Sequence, residues 1–159
     1  MDAIEAVKTR RSVRRYESKP VEESKLREIM ECARQAPSAC NIQPCFFFVV
    51  RSRAKIVELS KTHKYSGFLA NAPVVIASCA DDKASEWYVQ DTCAAIENVL
   101  VSARALGLGT CWVGVHKEDE PYAQKALGTK LRVINLIGLG YPAENPSVRK
   151  KEPVFKFVD

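Results

Sequence analysis

Apolar positions along the chain change their period several times, and each change marks an element. Asp2 followed by Glu5 makes an N-terminal capping pattern, and Ile4 and Val7 share a face, which predicts a short opening helix. Past Pro20, the residues Leu26, Ile29, Met30 and Ala33 recur at three- and four-residue spacing, predicting a second helix that Pro37 ends. Phe46 to Val50 is a continuous apolar run, right for a buried strand. Ala54 to Leu59 predicts another short helix, and Pro73 introduces Val74-Val75-Ile76-Ala77, a second buried strand.

Glu86 to Leu106 is the longest helical segment. Val89, Cys93, Ile96, Leu100 and Ala103 form one stripe, while Ala94, Ala95, Val99 and Val101 extend apolar character nearly all round. Such a helix has to be buried on most sides. At ~1.5 Å per residue it spans ~30 Å, and a chain this short has little with which to cover it. A partner subunit is the expected cover. Gly107 and Gly109 end this helix; a strand over Thr110 to Val115, a helix over Tyr122 to Leu127 and a strand over Arg132 to Leu139 follow. Helices flanking a sheet of at least four strands predict an α+β fold, with residues 1–159 as a single domain. The basic tail then carries Val154, Phe155, Phe157 and Val158, which have no core left to join and are expected to pack on the partner as an added strand.

Composition narrows the classes. The chain is 47% hydrophobic and 27% charged, which excludes intrinsic disorder. Its longest apolar stretches fall short of the ~20 residues a bilayer span requires, so no membrane partner is expected. The opening Met-Asp-Ala-Ile-Glu-Ala-Val-Lys is too acidic and too poor in apolar residues for a secretion signal, and a cytoplasmic location is expected. Cys32, Cys79 and Cys93 sit among apolar neighbours and read as small buried hydrophobes. Cys40 and Cys45 do not make a Cys-x-x-Cys pair, so no metal site is expected.

Charge changes the picture more. The net charge is +5, with Arg10, Arg11, Arg14 and Arg15 near one end and Arg149, Lys150 and Lys151 near the other. Two basic clusters suit nucleic acid, a solvated face, or a single small anion that the fold brings them around. Nucleic acid calls for aromatic residues among the cations, and only Tyr16 lies near the first cluster. No nucleic-acid partner is expected.

Three segments ask for more than packing. Arg10-Arg11-Ser12-Val13-Arg14-Arg15-Tyr16 offers guanidinium forks and a hydroxyl, which match phosphate oxygens, though a solvated basic turn has the same composition. Pro37-Ser38-Ala39-Cys40-Asn41-Ile42-Gln43-Pro44 holds polar side chains on a backbone stiffened by prolines. It reads either as a helix stop and turn or as a rim that recognises a planar heterocycle. Gly107-Leu108-Gly109-Thr110-Cys111-Trp112-Val113-Gly114 follows a helix and precedes a strand, the reverse of a dinucleotide fingerprint. Its glycines are expected to let backbone approach a flat ring.

In this order the three segments resemble the nitroreductase family of FMN-dependent oxidoreductases. Ala72-Pro73-Val74, Asp91 in the long helix and Leu139-Gly140-Tyr141-Pro142 complete the likeness, which covers nearly the whole chain. The resemblance implies a three-layer fold, a mixed and mostly antiparallel sheet flanked by helices, and an intertwined homodimer with FMN between subunits. Carried over by position, Arg10, Arg11, Ser12 and Arg14 grip the phosphate and ribityl chain, helped by Arg149 and Lys151. Pro37, Ser38, Ala39, Asn41 and Gln43 line the flavin from the partner, and Trp112, Val113 and Gly114 lie beside the isoalloxazine. It also implies NADH or NADPH as co-substrate, a small electron-poor acceptor, and chemistry centred on the flavin with no catalytic side chain. Two other uses share every one of these motifs: flavin storage or sensing without turnover, and specialised flavin chemistry within the family. The span between Ile76 and Tyr88 is only a brief acidic turn, which leaves the flavin face open.

Overall fold

A computed structural model describes residues 1–158. Helix α1 (Ala3–Thr9) starts as the capping pattern predicts, with the Asp2 carboxylate accepting from the Glu5 N–H at 2.9 Å. Then come α2 (Glu23–Arg34), β1 (Cys45–Val50), α3 (Arg53–Leu59), β2 (Val74–Ala80), α4 (Tyr88–Ala105), β3 (Gly109–Gly114), α5 (Glu120–Leu127) and β4 (Arg132–Gly140). Two short 3-10 turns, Ala39–Asn41 and Gly67–Asn71, were not expected from the apolar pattern.

The sheet runs β1-β2-β4-β3 with every pair antiparallel. Its only parallel element among the described residues is an isolated bridge from Ser12 to Thr110. Strand β2 is buried along its whole length because alternate residues feed two cores. Val74 and Ile76 meet Ile29 of α2 and Ile96 and Val99 of α4 on one face. Val75, Ala77 and Cys79 meet Ile56 of α3 and Ala123 of α5 on the other. Three layers result: α2 with α4, the sheet, and α3 with α5. Burial, with a further push from Glu120, raises the Cys79 thiol to about 12.

Three expectations change. Ile4 and Val7 of α1 are 67% and 56% exposed, and Ala6 is what that helix buries. Phe46 to Val50 forms an edge strand rather than a central one, and Phe46 stands half exposed. Within one chain α1, α2 and the sheet bury Asp91, Thr92, Ala95, Ile96, Val99, Leu100 and Ala103 of α4, while Cys93, Ala94 and Val101 stay half-buried, so the helix is covered on fewer sides than its apolar pattern suggests. More apolar surface is uncovered at its start and in the tail. Trp87 and Val89 at the start of α4 are exposed, and Val154, Phe155, Phe157 and Val158 in the irregular tail are each at least 76% exposed.

Candidate functional site

The arginine segment leaves α1 at Arg10 and is fastened to strand and tail by its backbone. Ser12 bridges Thr110, and the Val13 N–H donates to the Thr110 carbonyl at 2.9 Å. A single oxygen of Glu144 accepts from the N–H groups of Arg14 (2.6 Å) and Arg15 (3.1 Å). Tyr16 bridges Pro142 and donates its hydroxyl to the Val13 carbonyl at 2.6 Å. Burial pushes its phenol well above the ordinary range, so it stays neutral. Gly109 makes room for this arrangement, since a Cβ there would stand 2.8–2.9 Å from three atoms of Val13. The close approach this glycine permits is thus to the arginine segment rather than to a ring. Gly107, at φ +79°, supplies the left-handed turn that separates α4 from β3.

With its backbone fixed, the segment turns its side chains into a cavity of about 530 Å3. Arg10, Arg11, Ser12 and Arg14 line it together with Lys8, Pro146, Ser147, Val148, Arg149 and Lys151. The two basic clusters, far apart in sequence, meet there, and no carboxylate is among the lining side chains. One counter-charge lies close by: Arg10 Nε donates to Glu97 of α4 at 3.1 Å. Guanidinium forks, ammonium groups and a hydroxyl facing one space are the donor set a phosphate monoester needs. Lys8 was not anticipated, because it sits inside α1 and reads there as an ordinary surface residue.

Arg14 also borders a second cavity of about 640 Å3, lined by Trp112, Val113 and Gly114 together with Phe68 and His116. The expected flavin neighbours on β3 therefore adjoin the cationic cavity through one shared side chain. Trp112 remains 39% exposed here. Burial pushes the neighbouring Cys111 thiol up, which keeps it neutral.

The 37–43 loop lies elsewhere. Pro37, Ser38 and Gln43 line a third cavity of about 360 Å3 with Cys45, Phe46, Phe47 and Asp91, and it shares no lining residue with the other two. Ala39 and Asn41 form the 3-10 turn beside it, Ala39 half-buried and Asn41 exposed. Within one chain, then, this loop is not brought to the arginines. Its backbone is strained: Cys40, Asn41 and Gln43 hold φ of 49°, 56° and 55°. Ser38 Oγ accepts from the Gln43 N–H at 2.9 Å, and Asp91 Oδ1 accepts from the Ala39 N–H at 3.1 Å. Asp91 Oδ2 is buried without a partner among the described residues. This anchoring role of Asp91 escaped the sequence reading, although a carboxylate next to the apolar stretch Cys93 to Ile96 is a visible signal.

Known proteins share the sequence pattern and the fold. The profile of the Nitroreductase family matches residues 7–62 and 56–141. A relative from Methanothermobacter thermautotrophicus, provisionally named as an NADH dehydrogenase/NAD(P)H nitroreductase, is 38% identical over 156 residues, spanning 94% of this chain and 82% of the relative. The structure of an FMN-dependent nitroreductase from Clostridium difficile superposes with a TM-score of 0.88 at 31% identity, covering 92% of this chain and 91% of that one. A provisionally named nitroreductase from Desulfovibrio desulfuricans, solved in complex with FMN, gives a TM-score of 0.85 at 32% identity over 96% of this chain and 92% of its own. Six cations around one cavity, the β3 segment beside them and these matches over most of the length lead to one assignment: the chain belongs to the nitroreductase family.

Proposed function

We propose that this protein is an FMN-dependent oxidoreductase that takes hydride from NADH or NADPH and passes it to a small electron-poor acceptor such as a nitroaromatic or quinone. The observation that carries the reading is the cationic cavity around Arg10, Arg11, Ser12, Arg14, Arg149 and Lys151, joined through Arg14 to the space beside Trp112. The first space suits the phosphate of FMN and the second suits its ring system. When bound, FMN supplies the hydride chemistry. The chain's own residues bind and orient: cations hold the phosphate, and Trp112, Val113 and Gly114 border the ring. No side-chain nucleophile is called for.

The protein works as a homodimer of single-domain subunits with FMN at the interface. Two observations support this. The 37–43 loop, a rim suited to a heterocycle, lies apart from the arginines of its own chain, so a partner has to supply it. The tail from Val154 to Val158 exposes apolar side chains that a partner surface would cover. Deletion of residues 154–158 is expected to shift the protein toward monomers in sedimentation; a native chain that is monomeric with FMN bound would refute the dimer.

Among the described residues no helix is long and apolar enough to cross a membrane. The free cysteines fit a reducing compartment, and we place the protein in the cytoplasm. Hydride donor and acceptor use the space beside Trp112 in turn, so double-reciprocal plots at several donor concentrations should be parallel. Anaerobic mixing with NADH or NADPH tests the reading directly. Bleaching of the flavin absorption within seconds is expected; absorption unchanged after minutes with both donors would assign the protein to flavin storage or sensing instead.

A further inference from the structure

The cationic cavity is built from two pieces of chain, and one carboxylate closes the joint between them. Residues 14–17 and 141–144 lie antiparallel. The Glu17 N–H donates to the Tyr141 carbonyl at 2.9 Å, Tyr16 bridges Pro142, and the Ala143 N–H donates to the Arg15 carbonyl at 2.9 Å. The pairing ends at Glu144, whose Oε1 takes the successive N–H groups of Arg14 and Arg15. Past Glu144 no hydrogen bond joins the tail to the rest of the chain among the described residues, and residues 147–158 are exposed. Arg149 and Lys151, the tail's contribution to the cavity, therefore depend on that last attachment.

Glu144 itself lies outside the cationic cavity. It lines a neighbouring space of about 440 Å3 that shares Arg10, Arg11 and Pro146 with it. A carboxylate so placed has two opposite roles open to it. As a competing anion it would oppose a phosphate, because successive backbone N–H groups are themselves an anion site. As an anchor it would favour a phosphate, by keeping two distant cations where the phosphate binds. The bonding favours the anchor. Both bonds go to backbone, so they tie down the chain and leave the Arg14 guanidinium to the cavity.

We propose that Glu144 is a positioning residue for the cofactor: it docks the tail on the arginine segment, so that FMN binding and tail docking form one coupled equilibrium. Affinity for the phosphate is then scaled by the fraction of chains whose tail is docked. This rests on the reading that the phosphate of FMN occupies the cationic cavity.

The test titrates the whole chain, freed of flavin, with FMN and with riboflavin, as native protein and as Glu144→Ala and Glu144→Gln. On charge alone, removing a carboxylate beside a cationic cavity tightens FMN, and equally in both variants. The anchor gives the opposite sign. Glu144→Ala should bind FMN about tenfold more weakly, the scale of a lost hydrogen bond to a charged group, with riboflavin changed by no more than about twofold. Glu144→Gln keeps an acceptor oxygen and should recover most of the loss. Arg149→Ala should weaken FMN in the native chain and add little in Glu144→Ala, whose tail is already released. Trypsin reads the tail directly: cutting after Arg149, Lys150 and Lys151 should be faster in Glu144→Ala, with cutting elsewhere unchanged. FMN, and not riboflavin, should slow it in the native chain. FMN bound equally or more tightly in Glu144→Ala overturns the proposal and makes Glu144 a competing anion. Tighter FMN in Glu144→Gln does the same, should the alanine variant fail to fold. Equal weakening of FMN and riboflavin also overturns it, leaving Glu144 a general structural role. A native chain with no preference for FMN over riboflavin overturns the phosphate reading first and the proposal with it.

Discussion

Residues 10–16 and residues 37–43 each follow a helix, each carry polar groups of the proposed cofactor site, and are held by different forces. The first segment is extended chain. Its N–H and C=O groups are taken up by Thr110, Glu144, Ala143 and the Tyr16 hydroxyl, so the backbone is at rest and the side chains do the binding. The second is a turn with three non-glycine residues at positive φ, kept in place by side chains that reach its backbone. In the first, charge can be changed without moving the chain; in the second, one carboxylate decides where the chain goes.

The largest effect should come from removing a charge in the relaxed segment. Arg10→Ala is expected to weaken FMN by about 1.5–3 kcal/mol, the range for a hydrogen bond to a charged group, and to change riboflavin affinity little. Arg10 is one-third exposed and already shares Glu97, so a value near the lower end is expected. Equal loss for FMN and riboflavin in equilibrium titrations would remove the phosphate from this cavity.

The next prediction moves the segment without touching its charges. Gly109→Ala places a methyl 2.8–2.9 Å from Val13 and should cost about 1–3 kcal/mol of stability, as overpacking does. Val13→Gly in the same chain removes all three of the opposing atoms and should cost less in the Gly109→Ala background than in the native chain. Thermal or chemical unfolding of the two single variants and the double gives the coupling; purely additive effects would mean the contact does not set the geometry.

Why one segment was legible and the other only partly so follows from the same contrast. Charge clusters are conspicuous in a sequence, and the meeting of Arg10–Arg14 with Arg149 and Lys151 needed only the idea of a shared anion. The helix stop at Gly107 and the strand after it were legible because a left-handed turn favours glycine. By contrast, the hydrogen bond from Ala39 to Asp91 joins residues far apart in sequence, and no local pattern encodes it. The stacking of His63 on His116 is of the same kind, made by a turn after α3 and a loop after β3. Periodicity misled at α1, where Ile4 and Val7 share a face that the chain itself leaves uncovered. It also overstated the burial of Phe46, because an apolar run does not say whether its strand is central or at an edge.

Asp91→Ala tests the strained side of the comparison. It removes the acceptor for the partly buried Ala39 N–H and should cost about 1 kcal/mol of stability. Because the loop is proposed to line the ring and not the phosphate, FMN and riboflavin should weaken together, the opposite signature to Arg10→Ala. A loss confined to FMN would show that Asp91 acts on the phosphate end through α4 instead.

The smallest effect concerns the strain itself. Cys40 sits at φ 49° and ψ 23°, in the left-handed helical region, where a side chain costs roughly 1–2 kcal/mol unless its polar end can satisfy nearby backbone. Asparagine tolerates this region and, unlike glycine, adds little freedom to the unfolded chain. Cys40→Asn should therefore raise stability by about 0.5 kcal/mol, or about 1–2 °C in Tm for a chain of this length. Cys40→Gly should gain less, since the relief of strain is offset by unfolded-chain entropy, and the β-branched Cys40→Val should lose. Cys40 is exposed, so burial does not complicate the series. The order Asn, Gly, Cys, Val from most to least stable would show that the loop is held in its bent form by the Asp91 and Ser38 hydrogen bonds against a backbone preference. If instead all three variants match the native chain, the turn relaxes without cost, and Asp91→Ala should then prove nearly silent as well.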